Sequence, residues 1–353
     1  MEITLYILGS LILIFSILPL IRLDFWTFRV FEYPRIQKLA LTILWLLLFF
    51  LLAFPAILWL NIMAVAVAIT AICLLFQILP FTPLSKKQVL GTKEVDKDNS
   101  LAVMISNVYE DNDNYQGCIK VVKSNNADLV LLLETNHQWA KETAILDQDY
   151  PYQIKVPIDN TYGMLMFSKY PLKDSSVEYL VEKEIPSIHT KIELPSGQLV
   201  QVYAVHPTPP VPNENPRSTE RDKELLLVAE KAKKCDLPVI VIGDLNDVAW
   251  SYTTDLFLKM SKLLDPRRGR GFFNTFHAKH PLMQFPLDHA FISAHFKLIS
   301  LRKLDNFNSD HYPIFVHLQY APQNEDEQED NQLEATAEDK EVAQEKKTAD
   351  TSD

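Results

Sequence analysis

The chain has 353 residues, room for two or three modest domains, and its formal net charge of -11 is unevenly spread. Residues 321–353 carry 12 acidic and 3 basic side chains, whereas residues 100–320 carry 27 and 23. So mild an acidity in the central region argues against tight, non-specific duplex DNA binding, which needs a broad basic face; three cysteines without a CxxC or a Cys/His cluster argue against a zinc ribbon or finger.

The first 80 residues read as a membrane anchor. A bilayer core takes about 20 apolar residues of helix. Ile3 to Ile21 is one uncharged run of that kind, and Leu39 to Pro80 is long enough for two more. Pro55 is the natural turn between them, since proline cannot continue a helix without losing a hydrogen bond. A cleaved signal peptide is the alternative for the first run, but a basic start and a small-residue cleavage site are both missing. Trp26, Tyr33, Trp45 and Trp59 fall near expected interfaces. Basic residues follow the first span (Arg22, Arg29, Arg35, Lys38) and the third (Lys86, Lys87, Lys93, Lys97). Three spans put both groups on one side, and the positive-inside rule makes that side the cytoplasm. Two spans would put the rest of the chain on the other face. Phe25 to Lys38 reads as an interfacial amphipathic helix or as an ordinary loop.

Residues 81–99 read as a linker, with Pro83, Gly91 and several charges. Strand and helix patterns then alternate. Leu101 to Asn107, Asp128 to Glu134, Gly163 to Ser168, Ile188 to Leu194, Leu199 to His206 and Pro238 to Gly243 read as strands. Asp288 to Ser293, Phe296 to Leu304 and Tyr312 to Gln319 complete the set. Tyr115 to Ser124, Ser218 to Lys234 and Thr253 to Leu264 read as helices. About nine strands in a pattern that is not strictly βαβ suggest two packed sheets with helices outside. Residues 321–353, acidic and without an aromatic, read as a disordered tail.

Polar residues recur at the strand ends: Asn107, Glu134, His206, Asp244 with Asn246, and Asp310 with His311. Loops at strand ends build sites on a rigid frame. The oxygen donors suit a hard cation such as Mg²⁺. The histidines can move protons or contact phosphate. Asp288 could accept a hydrogen bond from His311 and fix its tautomer. Taken singly, each of these is equally a turn or strand-end residue.

In order, ISNVYEDN, LLLETN, HPTPP, GDLNDVAWS, PLDHAFIS and SDHYPI resemble the motif series of the endonuclease/exonuclease/phosphatase superfamily, the DNase-like metal phosphoesterases. The resemblance covers about residues 100–320. Together with the three-span start, the GRG stretch and NTF, the chain is similar to the bacterial membrane-anchored subgroup, which implies a cell-membrane location. It implies an α/β (α+β) domain built as a four-layer αββα sandwich. It also implies a divalent cofactor, Mg²⁺ or Mn²⁺, and a phosphate-ester substrate. By position, Glu134, Asp310 and Asn107 match metal-site residues. Asp244 matches the water-activating aspartate, with Asn246 beside it on the phosphate. His311 matches the phosphate-contacting histidine, with Asp288 as its partner. His206 matches a position near the leaving group that varies among members.

The RRGRG cluster, Arg267, Arg268 and Arg270, suits phosphate oxygens or reads as a solvated loop, its glycines allowing close approach to a substrate. Among the remaining histidines only His277 is a candidate for the site rim. The expected function is hydrolysis of a phosphodiester or phosphomonoester; the alternative is a non-catalytic scaffold that retains the fold. Nucleic acid, lipid-like headgroups and small metabolites remain open as substrates, and the anchor favours one near the bilayer.

Overall fold

The computed structural model describes residues 2–351, so Met1 and the tail residues Ser352 and Asp353 lie outside the described residues. Three helices at the start are long and apolar enough to cross a membrane: Glu2–Leu20, Arg35–Leu52 and Leu58–Phe81. They contain α1 (Glu2–Ile17), α3 (Arg35–Leu52) and α4 (Leu58–Ile78), with the short α2 (Trp26–Arg29) between the first two. The turn between α3 and α4 falls at Pro55, as its chemistry requires. Trp45 is 2% exposed inside the bundle, and its indole donates to the Leu5 carbonyl at 2.9 Å.

Residues 25–38 form the short α2, a following helical turn and the start of α3. They dock on the following domain. Arg29 is buried and meets Asp24 (2.9 Å), Glu32 (3.3 Å) and Asp222 (3.4 Å). Trp250 donates to the Glu32 carbonyl at 3.0 Å, and the Tyr33 hydroxyl donates to the Asn246 carbonyl at 2.9 Å.

The domain proper runs β1 (Ser100–Asn107), α5 (Tyr115–Asn125), β2 (Leu129–Leu133), α6 (His137–Glu142), β3 (Tyr152–Val156), β4 (Met164–Ser168), β5 (Leu172–Glu178), β6 (Ser187–Glu193) and β7 (Leu199–Ala204). It continues through α7 (Thr219–Lys233), β8 (Val239–Asp244), α8 (Tyr252–Ser261), β9 (Asp288–Ile292), β10 (Phe296–Lys303) and β11 (Ile314–Tyr320). One sheet has the order β10-β11-β1-β2-β4-β3 and the other β5-β6-β7-β8-β9. Side chains of a strand alternate between faces. Leu129, Leu131 and Leu133 therefore meet Val200, Val202, Ile240 and Ile242 between the sheets. Their neighbours Val130 and Leu132 pack outward with α5 residues Cys118 and Val122. Val239, Val241 and Phe291 pack outward on α7 and α8. The result is the expected four-layer αββα sandwich. The strands β3 and β5 were not legible from sequence, since both are partly exposed and carry Lys, Asp, Ser or Gln.

Two segments thought to be free are packed. The linker lies along the RRGRG loop and β10. Val89 joins the inter-sheet core, and Gln88 exchanges hydrogen bonds with Asp265 (2.9 Å) and Asn331 (3.0 Å). Gly269 has φ +78, and a Cβ there would lie 2.7 Å from the Lys86 carbonyl. The close approach that this glycine permits is made by the linker, not by a substrate.

The acidic segment forms α9 (Glu325–Glu329) and α10 (Ala337–Thr348). Thr336 and Asp339 form a capping box at the start of α10. Ala343 is buried with Leu226 of α7 and Leu256 of α8. Gln328 is fully buried, donating to the Phe296 carbonyl and accepting from the Leu90 amide, each at 2.9 Å. Composition signalled disorder because these anchors are few and mostly polar.

One buried acid makes stability depend on pH. Glu224 on α7 is 1% exposed, and its Oε1 has no hydrogen-bond partner. Burial, with Glu182 nearby, pushes its carboxyl up from 4.5 to about 8. A group whose folded pKa is raised stabilises fully below the unfolded value, and that contribution is lost as pH rises through the folded one. The melting temperature should therefore fall between pH 4.5 and pH 8, and Glu224→Gln should flatten that slope. An unchanged slope in the variant, followed by fluorescence across that range, would remove Glu224 as its source.

Candidate active site

The topology brings the polar strand ends together. Both β1–β2 and β7–β8 are parallel pairs, and Asn107 at the end of β1 bonds Asp244 at the end of β8, so the carboxyl ends of the four strands meet at one edge of the sandwich. Asn107, Glu134, His206 and Asp244 lie at those ends. Strand β9 runs antiparallel to β8 with Asp288 paired to Asp244, and β11 starts three residues after His311, Ile314 pairing with Ile105. Gly243 lets β8 reach this edge: its φ is +148, and a Cβ would lie 1.8 Å from the Val205 carbonyl.

Asn107 is 1% exposed and links the sheets. Its Nδ2 donates to Glu134 Oε1 at 2.6 Å and to Asp244 Oδ2 at 3.1 Å. Glu134 has a left-handed backbone, φ +57, and its Oε2 accepts from the Glu110 amide at 3.4 Å. Burial, reinforced by Asp310 and Asp244, pushes its carboxyl up to about 7 despite the Asn107 bond. Asp310 borders this group, its carbonyl accepting from the Ala278 amide at 2.6 Å.

Asp244 is the hub. Its Oδ1 accepts from the Asn246 amide at 2.9 Å, while Oδ2 faces His311 Nε2 at 3.6 Å and His206 Nε2 at 4.0 Å. His311 is buried, with Nδ1 on Asp288 Oδ2 at 2.8 Å and its ring 4.9 Å from that of Phe276. Burial alone would lower this imidazole, but Asp288 and Asp244 outweigh it and push it up to about 10. Burial instead lowers His206 to about 4, against the pull of Asp244. The two imidazoles are thus pushed in opposite directions, His311 up and His206 down, while both face one carboxylate. Asn246 Nδ2 donates to the Pro207 carbonyl at 3.0 Å, so its amide braces the HPTPP loop.

The arginine cluster stands apart from this pocket. Arg267 is 2% exposed, pairs with Asp265 at 2.9 Å and donates to the Asp288 carbonyl at 3.3 Å and to His289 Nδ1 at 2.6 Å. Arg268 pairs with Asp255 at 3.2 Å, and Arg270 is spent on the Pro266 and Val89 carbonyls. Each guanidinium ties a loop together, so their expected role on a substrate phosphate does not match their placement. His277 does lie on the rim, near Asp310 and His311.

Several residues that hold the site escaped the sequence reading. Ser309 donates to the Asn107 carbonyl at 2.8 Å, and Thr275 Oγ1 accepts from the Asp288 amide at 3.3 Å. Arg221 donates to the Asn246 carbonyl at 2.8 Å and meets Asp222 at 2.9 Å and Asp247 at 3.5 Å. The Ser of SDH and the Thr of NTF were visible as motif members; Arg221 lies in a helix with no local signal.

Ligand atoms of Asp244, Asp288 and His311 all lie within 4.8 Å of one another, a buried group that could hold a metal ion. Glu134 lies beside it with Asp310 close enough to act on its charge, and Asn107 turns its Nδ2 to both Glu134 and Asp244.

Solved structures similar to the chain include a humanized D. rerio TDP2, with 17% identity over 63% of this chain and 99% of that one, TM-score 0.50. An endonuclease/exonuclease/phosphatase from Bacteroides vulgatus matches at 17% identity, 63% and 99% coverage and TM-score 0.51. One from Beutenbergia cavernae matches at 17% identity, 63% and 72% coverage and TM-score 0.51. Among curated proteins none matches the chain by sequence. Residues 104–311, more than half of the chain, match the family described as Endonuclease/Exonuclease/phosphatase, whose members are generally metal-dependent phosphoesterases, and the chain belongs to that family.

Proposed function

We propose that the chain is a membrane-anchored, divalent-metal-dependent phosphoesterase that directs a water molecule at a substrate phosphorus. The observation that carries this reading is Asn107, which touches Glu134 of one sheet and Asp244 of the other inside one buried pocket.

Glu134 and Asp310 would hold a hard cation, Mg²⁺ or Mn²⁺, through carboxylate oxygen, with Asn107 bracing Glu134. They fit one because carboxylates crowd there: Asp244 and Asp310 both help burial to raise Glu134. When bound, the ion supplies positive charge against the phosphate oxygens. The Asp244–Asp288–His311 trio is a further group, one whose ligand atoms lie close enough together to hold an ion.

In this reading Asp244 orients the attacking water and takes its proton. Charged His311, braced by Asp288, donates from Nε2 to the phosphate oxygens. Neutral His206 faces the same carboxylate and completes the wall towards the leaving group. Asn246 positions the HPTPP loop. No protein nucleophile is required.

The rim favours a phosphoester presented at the bilayer surface. Gln37, in the first turn of α3, donates to the Leu282 carbonyl at 2.8 Å, and Leu282 and Met283 are 84% and 47% exposed. Their loop leads back to His277 and to Phe276, the ring on His311. The test is a screen of phosphodiesters and phosphomonoesters, lipid and soluble, with the full chain in nanodiscs and Mg²⁺ or Mn²⁺. Hydrolysis should stop with EDTA, and Glu134→Ala should raise the metal concentration required. Activity untouched by EDTA would end the metal reading, and no hydrolysis of any ester would favour the scaffold alternative.

We place the catalytic domain on the cytoplasmic face, because residues 22–38 dock on it and the linker lysines adjoin it. A topology reporter fused to the C-terminus should be active only in the cytoplasm. Activity only outside would overturn the three-span orientation.

A further inference from the structure

A cavity of about 1160 Å³ lies where the apolar helices meet the hydrolase domain, away from the catalytic pocket. We propose that it binds the phosphate-bearing headgroup of an anionic phospholipid, with the acyl chains leaving along α4; the proposal rests on the reading that the three helices span a bilayer.

The walls match such a molecule. Ile69, Cys73 and Phe76 of α4 form an apolar side, and Ile69 and Phe76 are 56% and 68% exposed, open to surrounding acyl chains. Arg22, Arg35, Lys38 and Arg268 line the cavity along with three acids, Glu32, Asp255 and Glu338. Every one of those acids is already paired: Glu338 with Arg22 (2.8 Å), Asp255 with Arg268 (3.2 Å) and Glu32 with Arg29 (3.3 Å). Two cations are left over. Lys38 Nζ meets only the carbonyls of Phe15 (3.2 Å) and Phe31 (2.8 Å). The Arg35 guanidinium has no ion pair or hydrogen bond among the described residues.

Unpaired donors point the same way. Ser16, Tyr252 and Arg268 line the cavity, and Ser16 Oγ, Tyr252 OH and Arg268 Nε are buried polar atoms without a partner. A buried donor left unmade is costly. They come from α1, α8 and the RRGRG loop, so a ligand that reached all three would join separate elements. A cavity with its carboxylates paired and its donors free suits an anion that only accepts hydrogen bonds, as an ionised phosphate does. The apolar wall beside it selects a phosphate that carries acyl chains. Cations near the membrane surface are placed for anionic headgroups.

The experiment uses the full chain in nanodiscs of phosphatidylcholine with or without phosphatidylglycerol, and in detergent with added phosphatidylglycerol or inorganic phosphate. Phosphatidylglycerol should raise the melting temperature and stay bound through purification, as read by native mass spectrometry. Arg35→Gln should weaken retention about tenfold, the worth of a charged hydrogen bond. Tyr252→Phe, which removes a hydroxyl without a protein partner, should weaken it too and serves if Arg35→Gln does not fold. Retention equal to wild type in the folded variant would overturn the proposal, as would equal stabilisation by inorganic phosphate alone. A chain that stays dispersed without detergent overturns the membrane reading itself. A chain that requires detergent and holds no phospholipid overturns this proposal only.

Discussion

Replacing Asp244 by Asn should cut turnover by about two to four powers of ten, the usual worth of a general base. The substitution keeps the shape of the side chain but removes its charge. It also turns an acceptor into a donor in a place built for acceptors. Oδ1 receives the Asn246 amide and Oδ2 receives Asn107 Nδ2, so an amide nitrogen at either position would face a donor. His311 would lose one of the two carboxylates that push its imidazole up. KM should change far less than kcat, because Asp244 acts on the water and not on substrate binding. Asp288→Asn should cost less, since Asp288 works through His311 and leaves Asp244 in place. A turnover within about threefold of wild type at saturating metal, far below that range, would remove Asp244 from water activation.

The candidate site was legible in the sequence because its residues stand where a change of residue type is abrupt. DLVLLLE ends in a carboxylate after five buried apolar positions, and PVIVIGD does the same. A strand-end acid costs folding energy unless something uses it, so the contrast itself is informative. The arginine cluster failed as a signal for a related reason. Its charges are dense in sequence, but Asp265, Asp255 and backbone carbonyls meet them in space. Sequence spacing does not reveal partners that arrive from another element. Arg221 and Tyr33 were missed for the same cause: both donate to the Asn246 carbonyl, across 25 and 213 positions. The polar strands β3 and β5 carried too little apolar alternation to stand out, and only their pairing with β4 and β6 identifies them.

Ending the chain at Tyr320 should destabilise it, although composition makes the removed segment look dispensable. Lys346 of α10 meets Asp222 at 2.9 Å and Asp24 at 2.8 Å. Asp222 is fully buried. Burial would raise its carboxyl, but Lys346, Arg221 and Arg29 outweigh that and hold it well below the usual carboxylate range. Removing one partner of a buried ion pair costs about 3–5 kcal/mol. Asp222 keeps two arginines, so the low end, about 3 kcal/mol, is the better expectation. Truncation also exposes Leu226 and Leu256 beneath Ala343 and leaves the Leu90 amide without Gln328. For a domain of this size the melting temperature should fall by about 6–12 °C. A carboxyl with a depressed pKa stabilises above its unfolded value and loses that contribution as pH falls through the folded one. The gap between full and truncated chains should therefore be widest above pH 3.8 and narrow below it. Lys346→Met should reproduce the pH-dependent part alone. Equal melting temperatures at neutral pH would mean that α10 is not held to α7 and α8 in solution, and that the acidic segment is the solvated tail its composition suggests.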